Sequence, residues 1–175
     1  MRVILSGVAL ARLGANGLEQ ALNPLVAATV AWGVRPLRAA PAMDALFVVL
    51  LTVDSLLVTT GAMERIDRQD TFGHLVLSAA IAPIVLTAGE STGRLNRLAI
   101  RGPVALTAAL VATILLLGVV WEAFELLADS VIGSNMSLGR ADTIHDLVCD
   151  AVGATIGSVL TVAYWERARD SRPRA

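Results

Sequence analysis

Residues 103–128 read PVALTAALVATILLLGVVWEAFELLA, and no charged side chain occurs before Glu122. A helix rises ~1.5 Å per residue and the hydrocarbon core of a bilayer is ~30 Å thick, so about 20 apolar residues cross it. This run is long enough. It also opens on Pro103, which is tolerated at a first helical position because the missing N–H has no partner there anyway. The stretch therefore predicts a transmembrane helix, and four other segments repeat the pattern. The first runs from residue 22 or 24 to residue 37. The second covers 45–62, interrupted only by Asp54. The third covers 74–89, with Pro83 inside. The last covers 143–165 and ends on Tyr164 and Trp165, an aromatic pair suited to a membrane interface.

Composition agrees with this reading. Of 175 residues, 55% are hydrophobic and 17% charged, where a soluble domain carries about 25% charged residues. Mean hydropathy is +0.69. The expected fold is an all-α membrane helix bundle of five spans, or six if residues 3–20 also cross. Arg12, Glu19 and Gln20 interrupt that N-terminal piece, which reads as an amphipathic or weakly hydrophobic helix, preferably lying on the surface. Residues 21–165 then form the transmembrane domain and 166–175 a cytoplasmic tail. Ala9-Leu10-Ala11 fits a small-x-small cleavage pattern, but the apolar stretch before it is shorter than the ~7–15 residues of a signal-peptide core, so none is expected. A net charge of −1 gives nucleic acid no electrostatic hold. The single cysteine, Cys149, excludes an internal disulfide and any CxxC motif.

All fourteen basic residues are arginine. With five spans, Arg35, Arg38, Arg94, Arg97, Arg101, Arg167, Arg169, Arg172 and Arg174 fall on one side. Arg65, Arg68 and Arg140 fall on the other, with Arg2 and Arg12. The positive-inside rule places the Arg-rich side, and the C-terminus, in the cytoplasm of a cell-membrane protein. A sixth span would move Arg2 to the Arg-rich side.

The Arg-poor side gathers most of the acids and both histidines. Asp70 and His74 are four apart. Glu122, Glu125 and Asp129 fall at i, i+3 and i+7. Asp142, Asp146 and Asp150 step by four, with His145 and Cys149 beside them. Each set shares one helix face. The last face continues into Gly153 and Gly157, a GxxxG spacing that lets another helix approach closely and offers a homo-oligomer contact. An aspartate at a transmembrane helix centre costs roughly 2.5–3.5 kcal/mol on insertion scales. Protonation, Arg140, the histidines or a bound cation must offset this. Carboxylates with one or two imidazoles suit Mg²⁺, Mn²⁺, Fe²⁺ or Zn²⁺. The candidate ligands of a divalent metal ion are Asp70, His74, Glu122, Glu125, Asp142 and Asp146. Asp54, Asp129, Arg140, His145 and Asp150 are further polar candidates.

Plainer readings exist for several of these. Asp142 suits the N-cap of the last helix and Asp70 that of the third. Glu122, Glu125 and Asp129 suit a solvated helix end anchored by Trp121. Cys149 suits a packing role. Asp54 and Asp150 have no such reading, because each lies inside a helix.

The ordered set Asp70-Thr71-Phe72-Gly73-His74, Trp121-Glu122-Ala123-Phe124-Glu125 and Asp142-Thr143-Ile144-His145-Asp146, leading to Gly153-Ala154, resembles the YjdF-like bacterial inner-membrane proteins. Those show D-x-x-G-H, E-x-x-E and D-x-x-x-D in this order. The likeness covers roughly residues 45–165. A weaker similarity is to VanZ-like proteins, with Arg140, Asp146 and Asp150 as counterparts. The resemblance implies a polytopic inner-membrane protein and brings no activity. The residues themselves admit a metal-dependent enzyme acting on a lipid or lipid-linked substrate. They also admit a small proton- or cation-coupled transporter using Asp54 and Asp150, or a non-catalytic accessory protein.

Overall fold

The computed structural model describes residues 1–16, 18–35, 41–60, 69–93, 101–134, 136–137 and 139–170. Among these the regular elements are all helices: α1 Arg2–Asn16, α2 Leu18–Gly33, α3 Pro41–Thr59, α4 Gln69–Ala80, α5 Ala82–Ser91, α6 Pro103–Ile132 and α7 Arg140–Asp170. Three stretches are long and apolar enough to cross a membrane: Thr71–Ser91, which joins α4 to α5, Pro103–Ile132 and Arg140–Arg169. The 16 residues of α2 and 19 of α3 give rods of ~24 and ~28 Å. The chain is an all-α membrane helix bundle. Residues 61–68 and 94–100, with their glutamate, aspartate and arginines, lie outside the described residues, as does Arg38.

α1 doubles back along α2. Leu5 packs on Ala27, Ala28 and Ala31 of α2 and on Val48 of α3. Arg2 Nε donates to the Ala31 carbonyl at 2.7 Å, and the guanidinium pairs with Asp44 at the start of α3. Arg2 therefore stands at the same end of the bundle as Arg35. The C-terminal ends of α5 and α7 and the start of α6 meet at this end too. There Leu86, Leu106, Leu110 and Val162 form one cluster, and Trp165 Nε1 donates to Glu90 Oε1 at 2.6 Å. Two tryptophans at this end each carry an arginine over the ring, Arg35 on Trp32 and Arg169 on Trp165. Such amphipathic pairs suit a headgroup layer.

Pro83 shapes the α4–α5 rod. It has no N–H to give the Ala79 carbonyl, and the helix is broken for one residue, Ile81. Ile81 keeps right-handed angles (φ −77°, ψ −18°) and its N–H still bonds Leu77 O at 3.0 Å. The rod continues across the break, and the carbonyl left open by Pro83 faces α7. A Cβ on Gly157 would overlap the Ala79 oxygen, and one on Gly153 the Leu75 oxygen. The face that the GxxxG spacing offered to a second copy is thus covered by α4 of the same chain, because only glycine lets the two backbones close.

The turn from α6 to α7 is pinned from within. Gly133 ends α6 in the left-handed region (φ 68°), its N–H bonding Asp129 O at 3.2 Å. The Asp129 carboxylate accepts the Ser134 hydroxyl at 2.5 Å and the N–H groups of Met136 and Ser137 at 2.9 and 3.0 Å. α7 starts at Arg140, so Asp142 lies in its first turn instead of capping it.

Candidate metal centre

Three helices each bring one residue able to ligate a metal to the end opposite the Trp–Arg pairs. His74 comes from α4, Glu122 from α6 and Asp146 from α7, and one ring nitrogen and two carboxylate oxygens lie within 4.8 Å of one another. Glu122 is 4% exposed and Asp146 2%. His74 Nε2 stands 4.0 Å from Glu122 Oε1. That oxygen is buried and has no hydrogen-bond partner among the described residues. Thr143 and Asp142 stand beside the same carboxylate.

The spacing is near what one ion needs. On a tetrahedral ion with ligand bonds of ~2.0–2.2 Å two donors stand roughly 3.3–3.6 Å apart, so the 4.0 Å pair draws in by about 0.5 Å and the widest separations by about 1–1.5 Å. Depth follows from helix rise. Asp146 lies ~28 Å along α7 from Trp165, Glu122 ~28 Å along α6 from Pro103, and His74 ~24 Å along α4–α5 from Glu90. With Trp165 at one interface, the three ligands sit together near the opposite edge of the hydrocarbon. Water screens little there, and an ionised carboxylate without a counter-charge is destabilising by several kcal/mol. Protons or a cation must balance this group.

One turn deeper lies a second layer. Asp150, 3% exposed, accepts the Ser78 hydroxyl on Oδ1 at 2.5 Å, and the same oxygen stands 3.2 Å from His74 Nδ1. Its Oδ2 has no hydrogen-bond partner among the described residues. It occupies a slot beside Gly118, where a Cβ would overlap the carboxylate.

The remaining sequence candidates lie around this group or away from it. Asp70 lies in the first turn of α4, and its side chain is outside the described residues. Glu125 and Asp142 are half-buried neighbours outside the ligand triad, and Arg140 and His145 are exposed. Asp129 turns to the α6–α7 loop. Asp54 lies on the α3 side of α4, in a groove of ≈ 80 Å³ with Phe72 and Gly73; a Cβ on Gly73 would stand 3.1 Å from its Oδ1. Ser78 and Gly118 were not singled out from the sequence. The signal was present: each lies one helical turn from a candidate ligand, on the same face.

A family model described as "Predicted membrane protein (DUF2238)" matches residues 4–167. It corresponds to the YjdF-like resemblance carried by the three acidic motifs, and does not bear on the VanZ-like one. No curated protein and no solved structure matches the chain.

Proposed function

The chain belongs to the DUF2238 family of predicted membrane proteins, and from that premise we propose that it is a membrane-embedded metalloenzyme acting on a lipid or lipid-linked substrate. His74, Glu122 and Asp146 hold a divalent ion of the Zn²⁺ or Fe²⁺ class. The observation that carries this reading is the buried Glu122 Oε1, without a hydrogen-bond partner among the described residues and 4.0 Å from His74 Nε2 within a three-helix donor set. An imidazole with two carboxylates suits those ions. Three protein ligands leave a further position open, and there such an ion supplies Lewis-acid activation of water or a substrate oxygen.

The membrane depth supports the substrate class. A group lying inside the hydrocarbon edge meets lipid headgroup linkages sooner than soluble metabolites. Arg2, placed with Arg35 at the opposite end, adds to the arginine excess there, which supports an extracytoplasmic position for the centre.

Elemental analysis of the purified, detergent-solubilised protein tests the metal. A stoichiometric divalent transition metal is expected, lost in His74→Ala and Asp146→Ala while helicity and the thermal transition persist. Native protein that holds no metal and takes none up overturns the reading. Metal-free protein that shows substrate-dependent flux, stopped by Asp54→Asn, would put a carrier in its place.

A further inference from the structure

The ligand triad rests on a second triad one turn deeper, and each helix contributes one member to both. α4 supplies His74 and Ser78, α6 supplies Glu122 and Gly118, and α7 supplies Asp146 and Asp150. α4 and α7 run inward from the centre while α6 runs outward to it, so i+4 on the first two and i−4 on the third reach the same depth.

We infer that Asp150 is a positioning residue for the metal centre: it accepts the His74 Nδ1–H, fixes the tautomer whose Nε2 carries the lone pair for the ion, and is itself aimed by Ser78 and by the slot at Gly118. The inference rests on the metal reading and extends it to residues that touch no ion. An imidazole cannot present a chosen nitrogen to a metal unless its other nitrogen is held, and a carboxylate partner commonly holds it. Here the 3.2 Å contact of Nδ1 to Asp150 Oδ1 lies on one side of the ring, and Nε2 faces Glu122 on the other. The Ser78 hydroxyl donates to the same Asp150 oxygen at 2.5 Å, so that oxygen is anchored from the α4 side. Gly118 has a different role. A side chain at Gly118 would overlap Asp150 Oδ2 and displace the carboxylate that reaches Nδ1.

The chain has two histidines, and His145 is exposed, so His145→Gln leaves His74 as a single reporter. In ¹⁵N-histidine-labelled, metal-free protein, His74 Nδ1 is expected to carry a hydrogen-bonded proton. That signal is lost in Asp150→Ala and in Gly118→Ala and retained in Asp150→Asn, which keeps an acceptor oxygen. Zn²⁺ affinity is expected to fall about 10–100-fold in Asp150→Ala, and less in Asp150→Asn. A bare Nδ1 in the metal-free wild type overturns the inference, as does wild-type Zn²⁺ affinity in Asp150→Ala. Complete loss of Zn²⁺ binding in Asp150→Asn would make Asp150 a ligand and overturn its positioning role. Failure of the wild type to take Zn²⁺ sinks the metal reading separately, since the Nδ1 proton is read without metal.

Discussion

Gly157 of α7 lies directly against the carbonyl of Ala79 on α4, the carbonyl that Pro83 leaves without a helical partner. Glycine to alanine inside a helix ordinarily stabilises by about 0.5–1 kcal/mol. At Gly157 and Gly153 the sign should reverse, because the new methyl meets backbone that cannot move aside. Gly157→Ala and Gly153→Ala are each expected to destabilise by roughly 1–3 kcal/mol. Gly7→Ala in α1, where nothing lies within 4 Å, should be neutral or stabilising. Denaturant or thermal midpoints in detergent decide it. Equal effects at the three sites would refute the close crossing.

On the metal reading proposed above, removing the ion should leave the protein folded and less stable. A bound ion stabilises by RT ln(1 + [L]/Kd), about 2.7 kcal/mol at a hundredfold excess over Kd. Chelation is expected to lower the thermal midpoint, and added Zn²⁺ to restore it. Glu122→Gln should abolish that response. It should also raise the midpoint of the chelated protein, because it removes a buried carboxylate oxygen that has no hydrogen-bond partner there. A chelated Glu122→Gln variant less stable than chelated wild type contradicts the electrostatic argument.

The Asp129 carboxylate holds the α6–α7 turn through three short bonds. Asp129→Ala leaves two backbone N–H groups and a hydroxyl without it. A loss of about 1–2 kcal/mol is expected, with faster proteolysis in the turn and little change in metal affinity. A metal affinity that collapses with intact stability would place Asp129 at the centre instead.

Arg2, Arg35 and Arg169 share one end of the bundle and Ala141 the other. In a Cys149→Ser background, single cysteines at 2, 35 and 169 should react with an impermeant maleimide only after the membrane is opened. A cysteine at 141 should react in intact spheroplasts. Labelling of position 2 on the opposite side from 35 would contradict the α1–α2 hairpin described above, and labelling of 2, 35 and 169 together from outside would reverse the orientation.

The apolar runs made most of the fold legible. Pro103 marks the start of α6 correctly, and Pro83 interrupts its rod without ending it. The limits were harder to read where polar residues are helical. α7 begins at Arg140 and α2 at Leu18, ahead of their apolar stretches, because the main-chain ladder extends past the bilayer edge whatever the side chains are. Spacing put Asp142, Asp146 and Asp150 on one face, but burial separates them. Asp146 and Asp150 are buried against α4 and α6, while Asp142, in the first turn of α7, is only half-buried. Periodicity cannot supply that distinction, since it depends on which neighbour arrives and at what height. The same is true of the glycine face, whose spacing announces close packing but not the identity of the partner helix.

The donor residues are dealt unevenly along the polypeptide, and this orders its birth. α1, α2 and α3 make their own core and hold none of the triad. In synthesis these three helices precede the imidazole on α4. The two acid-bearing rods, α6 and α7, follow α4 in the chain and are joined by the short turn that Asp129 holds, so the imidazole is made before either acid.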